Sequence, residues 1–264
     1  MSQRKVALVT DGMTWLGTAI CRRLQRAGMI VVASYPAHQR DPEAWLAAQR
    51  DEGGTFSAWR ADAAAFDDCA ALVGKVLAAY GRLDVLVNLD AGPGGDGGDA
   101  AGASLGQMSP SQWRAGLRPA HDAFNMNKHA LPPMLERQWG RIIQVARGPA
   151  WPLPRQALAA SYAAANAALH GLTRALALET ARHGVTVNTV MPGLIRRHDE
   201  AMGGVPQPGR HAGTAADAAA AAHIPVGRAG EATEVAALVG YLASESAAFV
   251  TGAQIAINGG QHMF

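Results

Sequence analysis

The stretch Val6-Ala7-Leu8-Val9-Thr10-Asp11-Gly12-Met13-Thr14-Trp15-Leu16-Gly17 decides the fold. Its first five residues form a short apolar run with β-branched members, bounded by Asp11-Gly12, and read as a buried strand. From Trp15 to Ala27 the period changes. Leu16, Ile20 and Leu24 fall on one helical face, and Gly28 stops the helix. A strand, a tight turn and a helix in this order open a βα unit.

The alternation continues outward. Ile30–Ala33 reads as a strand, Pro42–Asp51 as a helix with Pro42 in its first turn, and Phe56–Arg60 as a strand. Asp67–Tyr80 reads as a helix ended by Gly81, and Leu83–Asn88 as a strand. Ser111–Arg137 looks helical despite Pro119, Pro132 and Pro133, and Arg141–Val145 is the fifth strand. Ser161–His183 is a long Ala/Leu helix ended by Gly184, with Ser161 as a candidate cap. Val185–Val190, Thr233–Leu242 and Gln254–Ile257 complete the series as strand, helix and strand. Gly92–Gly106 and Arg196–Ala222 lack apolar periodicity and read as loops. No repeat or linker divides the chain, so residues 1–264 are expected to form one α/β domain with a seven-stranded parallel sheet.

Composition excludes several function classes. With 49% hydrophobic and 17% charged residues the chain has ample material for a core and is not disordered. No apolar run reaches the roughly 18–20 residues of a membrane span. Lys+Arg total 23 against Asp+Glu 21, with no basic block, which speaks against nucleic acid as a partner. Cys21 and Cys69 form no CxxC and have no His at ligand spacing, so neither a metal site nor a disulfide framework is expected. Together with the absence of an apolar leader before Val6, this gives a cytoplasmic expectation. Only three of the basic residues are lysines: Lys5, Lys75 and Lys128.

The motifs resemble those of the short-chain dehydrogenases/reductases. Thr10-Asp11-Gly12 through Gly17 stands where that family has its dinucleotide turn. Asn88 follows a hydrophobic strand, as in the family's Asn-Asn-Ala-Gly region. Tyr162 opens the helix that carries the family's Tyr-x-x-x-Lys. Pro192-Gly193 follows the sixth strand, and Asn258-Gly259-Gly260 the last. Runs such as Trp139-Gly140-Arg141-Ile142, Gly184-Val185-Thr186-Val187-Asn188-Thr189-Val190 and the terminal His262-Met263 are similar to acetoacetyl-CoA reductases within the family. The resemblance implies a Rossmann-like, doubly wound sheet and NADP(H)-dependent reduction of a 3-oxoacyl-CoA. It implies Thr10, Gly12, Gly17, Arg40, Asp62, Asn88, Pro192 and Gly193 as cofactor positions. Asp62 matches the family Asp that contacts adenine, and Arg40, with no acidic ribose clamp after the second strand, fits NADP rather than NAD.

Against that pattern the chemistry is depleted. Family members use Tyr, Lys, Ser and Asn together. Here Tyr162 matches, but Asn166 replaces the Lys four residues on, and Arg147 or Ala146 replaces the Ser. The Asn falls at Pro119 or Ala120. A tyrosine near its ordinary pKa of about 10 is a poor proton donor at neutral pH, and Asn166 brings a dipole but no charge to lower it. Arg147 is the one cation that stands in a position to replace the missing groups. The turn reads Thr-Asp-Gly-Met-Thr-Trp-Leu-Gly in place of Thr-Gly-x-x-x-Gly-x-Gly. That puts a carboxylate, Asp11, and an indole, Trp15, where two phosphates would approach. The expectation is a degenerate homologue that binds no cofactor, or NADP(H) if any. It would serve as a structural or regulatory subunit in a dimer or tetramer, either of itself or with an active paralogous reductase. Acyl-CoA remains a candidate ligand, no metal is implied, and an active 3-oxoacyl-CoA reductase with unusual site chemistry is the alternative. The small apolar face of Ala163–Leu178 and the last strand are the expected assembly surfaces.

Overall fold

The computed structural model describes residues 4–37, 41–89, 104–146, 160–196 and 222–263. Its main sheet holds seven parallel strands in the order β3-β2-β1-β4-β5-β6-β9. These are β1 (Val6–Val9), β2 (Ile30–Tyr35), β3 (Phe56–Arg60), β4 (Val85–Leu89), β5 (Gly140–Val145), β6 (Val185–Pro192) and β9 (Gln254–Ile257). A two-residue pairing of β7 (Ile195–Arg196) with β8 (Gly230–Glu231) stands apart. The described helices are α1 (Trp15–Arg26), α2 (Pro42–Asp51), α3 (Phe66–Tyr80), α4 (Pro110–Gly116), α5 (Arg118–Glu136), α6 (Ala160–Thr180) and α7 (Ala232–Leu242).

Strand alternation explains why both faces are covered. Ala7 and Val9 of β1 enter a core with Leu16, Ile20 and Leu24 of α1 and with Val235 and Val239 of α7. Val6 and Leu8 enter the opposite core, with Leu72 and Val76 of α3 and Met126 and Met134 of α5. β1 is therefore apolar on both faces, as buried parallel strands are. Cys21 and Cys69 are buried free thiols in these two cores, and burial raises both pKa values, Cys69 to about 12. Neither is a reactive nucleophile.

The structure corrects three local expectations. The 111–137 stretch is two helices, because Leu117 ends α4 and α5 restarts with Pro119 in its first turn, while Pro132 and Pro133 are accommodated inside α5. Ser161 is not a cap. It lies inside α6, buried, with its side chain against Gly116, where a Cβ would collide with the Ser161 hydroxyl. The fourth strand begins at Val85 rather than Leu83. The two loop expectations, Gly92–Gly106 and Arg196–Ala222, lie for the most part outside the described residues.

Candidate functional site

The sheet order reverses between β1 and β4, and ligands of open α/β sheets bind beyond the carboxyl ends of the strands at such a switch point. Thr10 ties the two strand ends together. Its N–H donates to Val87 O at 3.0 Å, and its hydroxyl accepts the Leu89 N–H at 2.9 Å. The chain then turns at Asp11, whose φ of 48° is left-handed, a conformation few residues other than glycine, Asn and Asp adopt. Gly12 donates to Ser34 O at 3.0 Å, and a Cβ there would stand 2.7 Å from Ala33 Cβ. A Cβ on Gly17 would run into the Asp11 carbonyl, so only glycine lets α1 start this close to the turn.

Thr14 caps α1. Its hydroxyl donates to Asp11 O at 2.8 Å and accepts the Gly17 N–H at 3.1 Å. Trp15, the first helical residue, is partly buried against the α1 core. The turn thus keeps a helix N-terminus aimed at the crevice, which suits an anion. It also spends the Gly17 donor internally, on the Thr14 hydroxyl.

The Asp62 position is engaged. Two residues past β3, its Oδ1 accepts from Arg118 Nη2 at 2.8 Å and from the Ala64 N–H at 3.0 Å. Arg118 Nε also donates to Asp122 Oδ2 at 3.1 Å, one turn along α5. Burial opposes the Arg118 charge, but Asp122, Asp62 and Asp11 outweigh it and raise its pKa. Burial dominates at Asp122 instead. Its carboxyl is pushed up to about 6 despite the Arg118 charge, with Asp62 adding to the rise and His121 opposing it.

Asn88 heads a buried amide cluster. It donates to Asn127 Oδ1 at 2.8 Å and Gln144 Oε1 at 2.9 Å, and Gln144 donates to Asn127 at 3.2 Å. Asn88, Gln144 and Thr189 are register partners across β4, β5 and β6, and Thr189 pairs with Thr173 of α6 at 2.8 Å. Among the described residues, Asn88 Oδ1 and Asn127 Nδ2 have no hydrogen-bond partner. At the end of β6, Gly193 donates to Ile257 O at 3.0 Å and Leu194 to Gln261 Oε1 at 2.7 Å, which ties Pro192-Gly193 to the segment after β9.

Tyr162 stands in the first turn of α6, and Asn166 follows one turn later. The Tyr162 side chain lies outside what the structure describes, as do Arg40 and Arg147. The three lysines are placed elsewhere. Lys5 precedes β1 at the opposite end of the sheet, over Trp139 and paired with Glu245. Lys75 of α3 stacks on Trp59, and Lys128 is exposed about 15 Å down α5 from Arg118, at 1.5 Å per residue. Sequence reasoning brought Thr10, Gly12, Gly17, Asp62, Asn88, Pro192 and Gly193 to the strand ends. It missed Arg118, Asp122, Asn127 and Gln144. Only Gln144, polar inside an apolar strand, carried a signal of its own.

The family model described as Enoyl-(Acyl carrier protein) reductase matches residues 14–262. Among curated proteins, the chain is 38% identical to nodulation protein G of Azospirillum brasilense over 98% of each. It is 35% identical to the acetoacetyl-CoA reductase of Cupriavidus necator over the full length of both. It is 32% identical to a 3-oxoacyl-acyl-carrier-protein reductase of Pseudomonas aeruginosa, over 99% of this chain and 98% of that one. A solved short-chain dehydrogenase/reductase of Serratia marcescens, a double mutant, superposes with a TM-score of 0.80 at 31% identity, over 98% of each chain. The chain belongs to the short-chain dehydrogenase/reductase family.

Proposed function

We propose that this chain is a catalytically degenerate member of the family, a structural or regulatory subunit that assembles with itself or with an active paralogous reductase. The observation that carries the reading is the missing lysine four residues after Tyr162. Asn166 occupies the lysine position, and none of the three lysines stands at the crevice. Bringing a phenol's pKa from about 10 to 7 needs about 4 kcal/mol, which a neutral amide does not supply. The site also lacks a hydroxyl at 146–147, where Ala146 is buried and Arg147 follows. The turn fits a dinucleotide diphosphate poorly, because the Thr14 hydroxyl already takes the Gly17 N–H and the sequence puts a carboxylate, Asp11, where the family has glycine.

The assembly half of the reading rests on exposed apolar surface. Ala163, Ala167, Ala168, Gly171 and Ala175 are exposed along α6, and Leu178 is 84% exposed. Phe124 of α5, the helix that packs on α6, is also exposed, and β9 is the last strand of the sheet among the described residues. A stripe of small residues lets a second helix approach closely, and an apolar surface of this extent favours a partner. Cytoplasmic residence accords with the two free thiols, and no described helix is long and apolar enough to cross a membrane.

The test is binding. Millimolar NADPH is expected to leave the melting temperature unchanged, whereas a ligand at 100 times its Kd stabilises by about 2.7 kcal/mol. The combined Asp11→Gly, Thr14→Gly and Trp15→Gly substitutions should improve binding. An ordered dinucleotide in the wild-type crevice would overturn the reading. A second reading, an active 3-oxoacyl-CoA reductase, is supported by the retained Tyr162 and the names of the relatives, and would make Arg147 the catalytic cation.

A further inference from the structure

We infer that Arg118 is a strap across the half of the crevice above β1, β2 and β3, and that a nucleoside enters this half only by displacing it. The residues it joins come from opposite sides. Arg118 opens α5, which follows β4, whereas Asp62 follows β3 on the other side of the switch point, 56 residues earlier in the chain. The guanidinium reaches Asp62 at 2.8 Å and is steadied from its own helix by Asp122 at 3.1 Å. Asp11, in the turn after β1, adds a third carboxylate whose charge acts on Arg118.

Both ends of the strap are built. The Asp62 N–H donates to Asp68 Oδ2 at 3.1 Å, and its carboxylate holds the Ala64 N–H, so the anchor is fixed before Arg118 arrives. Asn125, two turns along α5, donates to the carbonyls of Ala63 at 3.0 Å and Ala64 at 3.3 Å and approaches His121 at 3.4 Å. These bonds stitch α5 to the turn after β3, so the strap is held by a stiff joint. The Arg118–Asp62 pair itself is half-exposed, which keeps it weak and breakable.

This inference deepens the proposed reading and rests on it, since a crevice that binds no dinucleotide needs something to occupy that half. The probes are adenosine, which is uncharged, and ADP, measured by calorimetry on the full chain. Arg118→Ala is expected to bind adenosine about tenfold tighter than wild type, or about 1.4 kcal/mol. The gain for ADP should be smaller, because Asp11, Asp62 and Asp122 are left uncompensated. Arg118→Met, which removes the same ion pair while keeping the side chain's length, should give a similar adenosine gain, and circular dichroism checks that both variants fold. Unchanged adenosine affinity, including none detected in either protein, overturns the strap alone. ADP affinity falling tenfold with adenosine unchanged would make Arg118 a phosphate ligand and overturn it as well. Turnover of acetoacetyl-CoA would overturn the proposed reading whatever the adenosine result.

Discussion

Asp122 carries a pH-dependent cost. Its folded pKa of about 6 lies above the ordinary carboxylate value because burial outweighs the Arg118 charge. A carboxyl raised in this way favours the folded state at low pH. That contribution is fully present below the unfolded pKa, about 4, and is lost as the pH rises through about 6. Asp122→Asn should therefore melt higher than wild type at pH 7.5 and equal to it at pH 4, as followed by thermal denaturation. A constant offset across that range would contradict the account. Thr14→Ala should cost about 1 kcal/mol by removing the α1 cap. At this scale the departures at Asp11, Asn166 and Arg147 were legible, because each is counted from a strand or helix start that the sequence marks. Arg118 was not. Its meaning depends on Asp62, 56 residues away, and no local pattern announces such a pair.

The elements were the most legible level. Short continuous apolar runs, as parallel strands buried on both faces produce, and helices closed by Gly28, Gly81 and Gly184 placed most boundaries within two residues. What failed was the break at Leu117. Here a helical pattern runs through two helices whose separation is set by α4 packing Gly116 against Ser161 of α6. The buried trio Asn88, Asn127 and Gln144 was half-visible, because the helix partner becomes polar only for the strands it faces. Two glycine substitutions separate close approach from mere flexibility. Gly17→Ala should destabilise by about 1–3 kcal/mol, because the added carbon meets the Asp11 carbonyl. Gly74→Ala, in the open interior of α3, should stabilise by about 0.5–1 kcal/mol. Denaturant midpoints at constant m-value check both.

At the scale of the molecule, the family's seven-stranded sheet is complete, while Asn166 and Ala146-Arg147 stand where the family motif has lysine and serine. Light scattering should give a dimer or tetramer at micromolar concentration, and Ala168→Arg on the exposed α6 face should dissociate it without loss of helix signal. A wild-type species near 27.4 kDa would count against that. The most direct measurement is the rate of NADPH oxidation by the purified chain with millimolar acetoacetyl-CoA. Because tyrosine, lysine and serine act as a unit, the rate is expected at the uncatalysed background, unaltered by Tyr162→Phe and not rescued by Asn166→Lys alone. Turnover of about one per second or faster, abolished by Tyr162→Phe, would contradict the account.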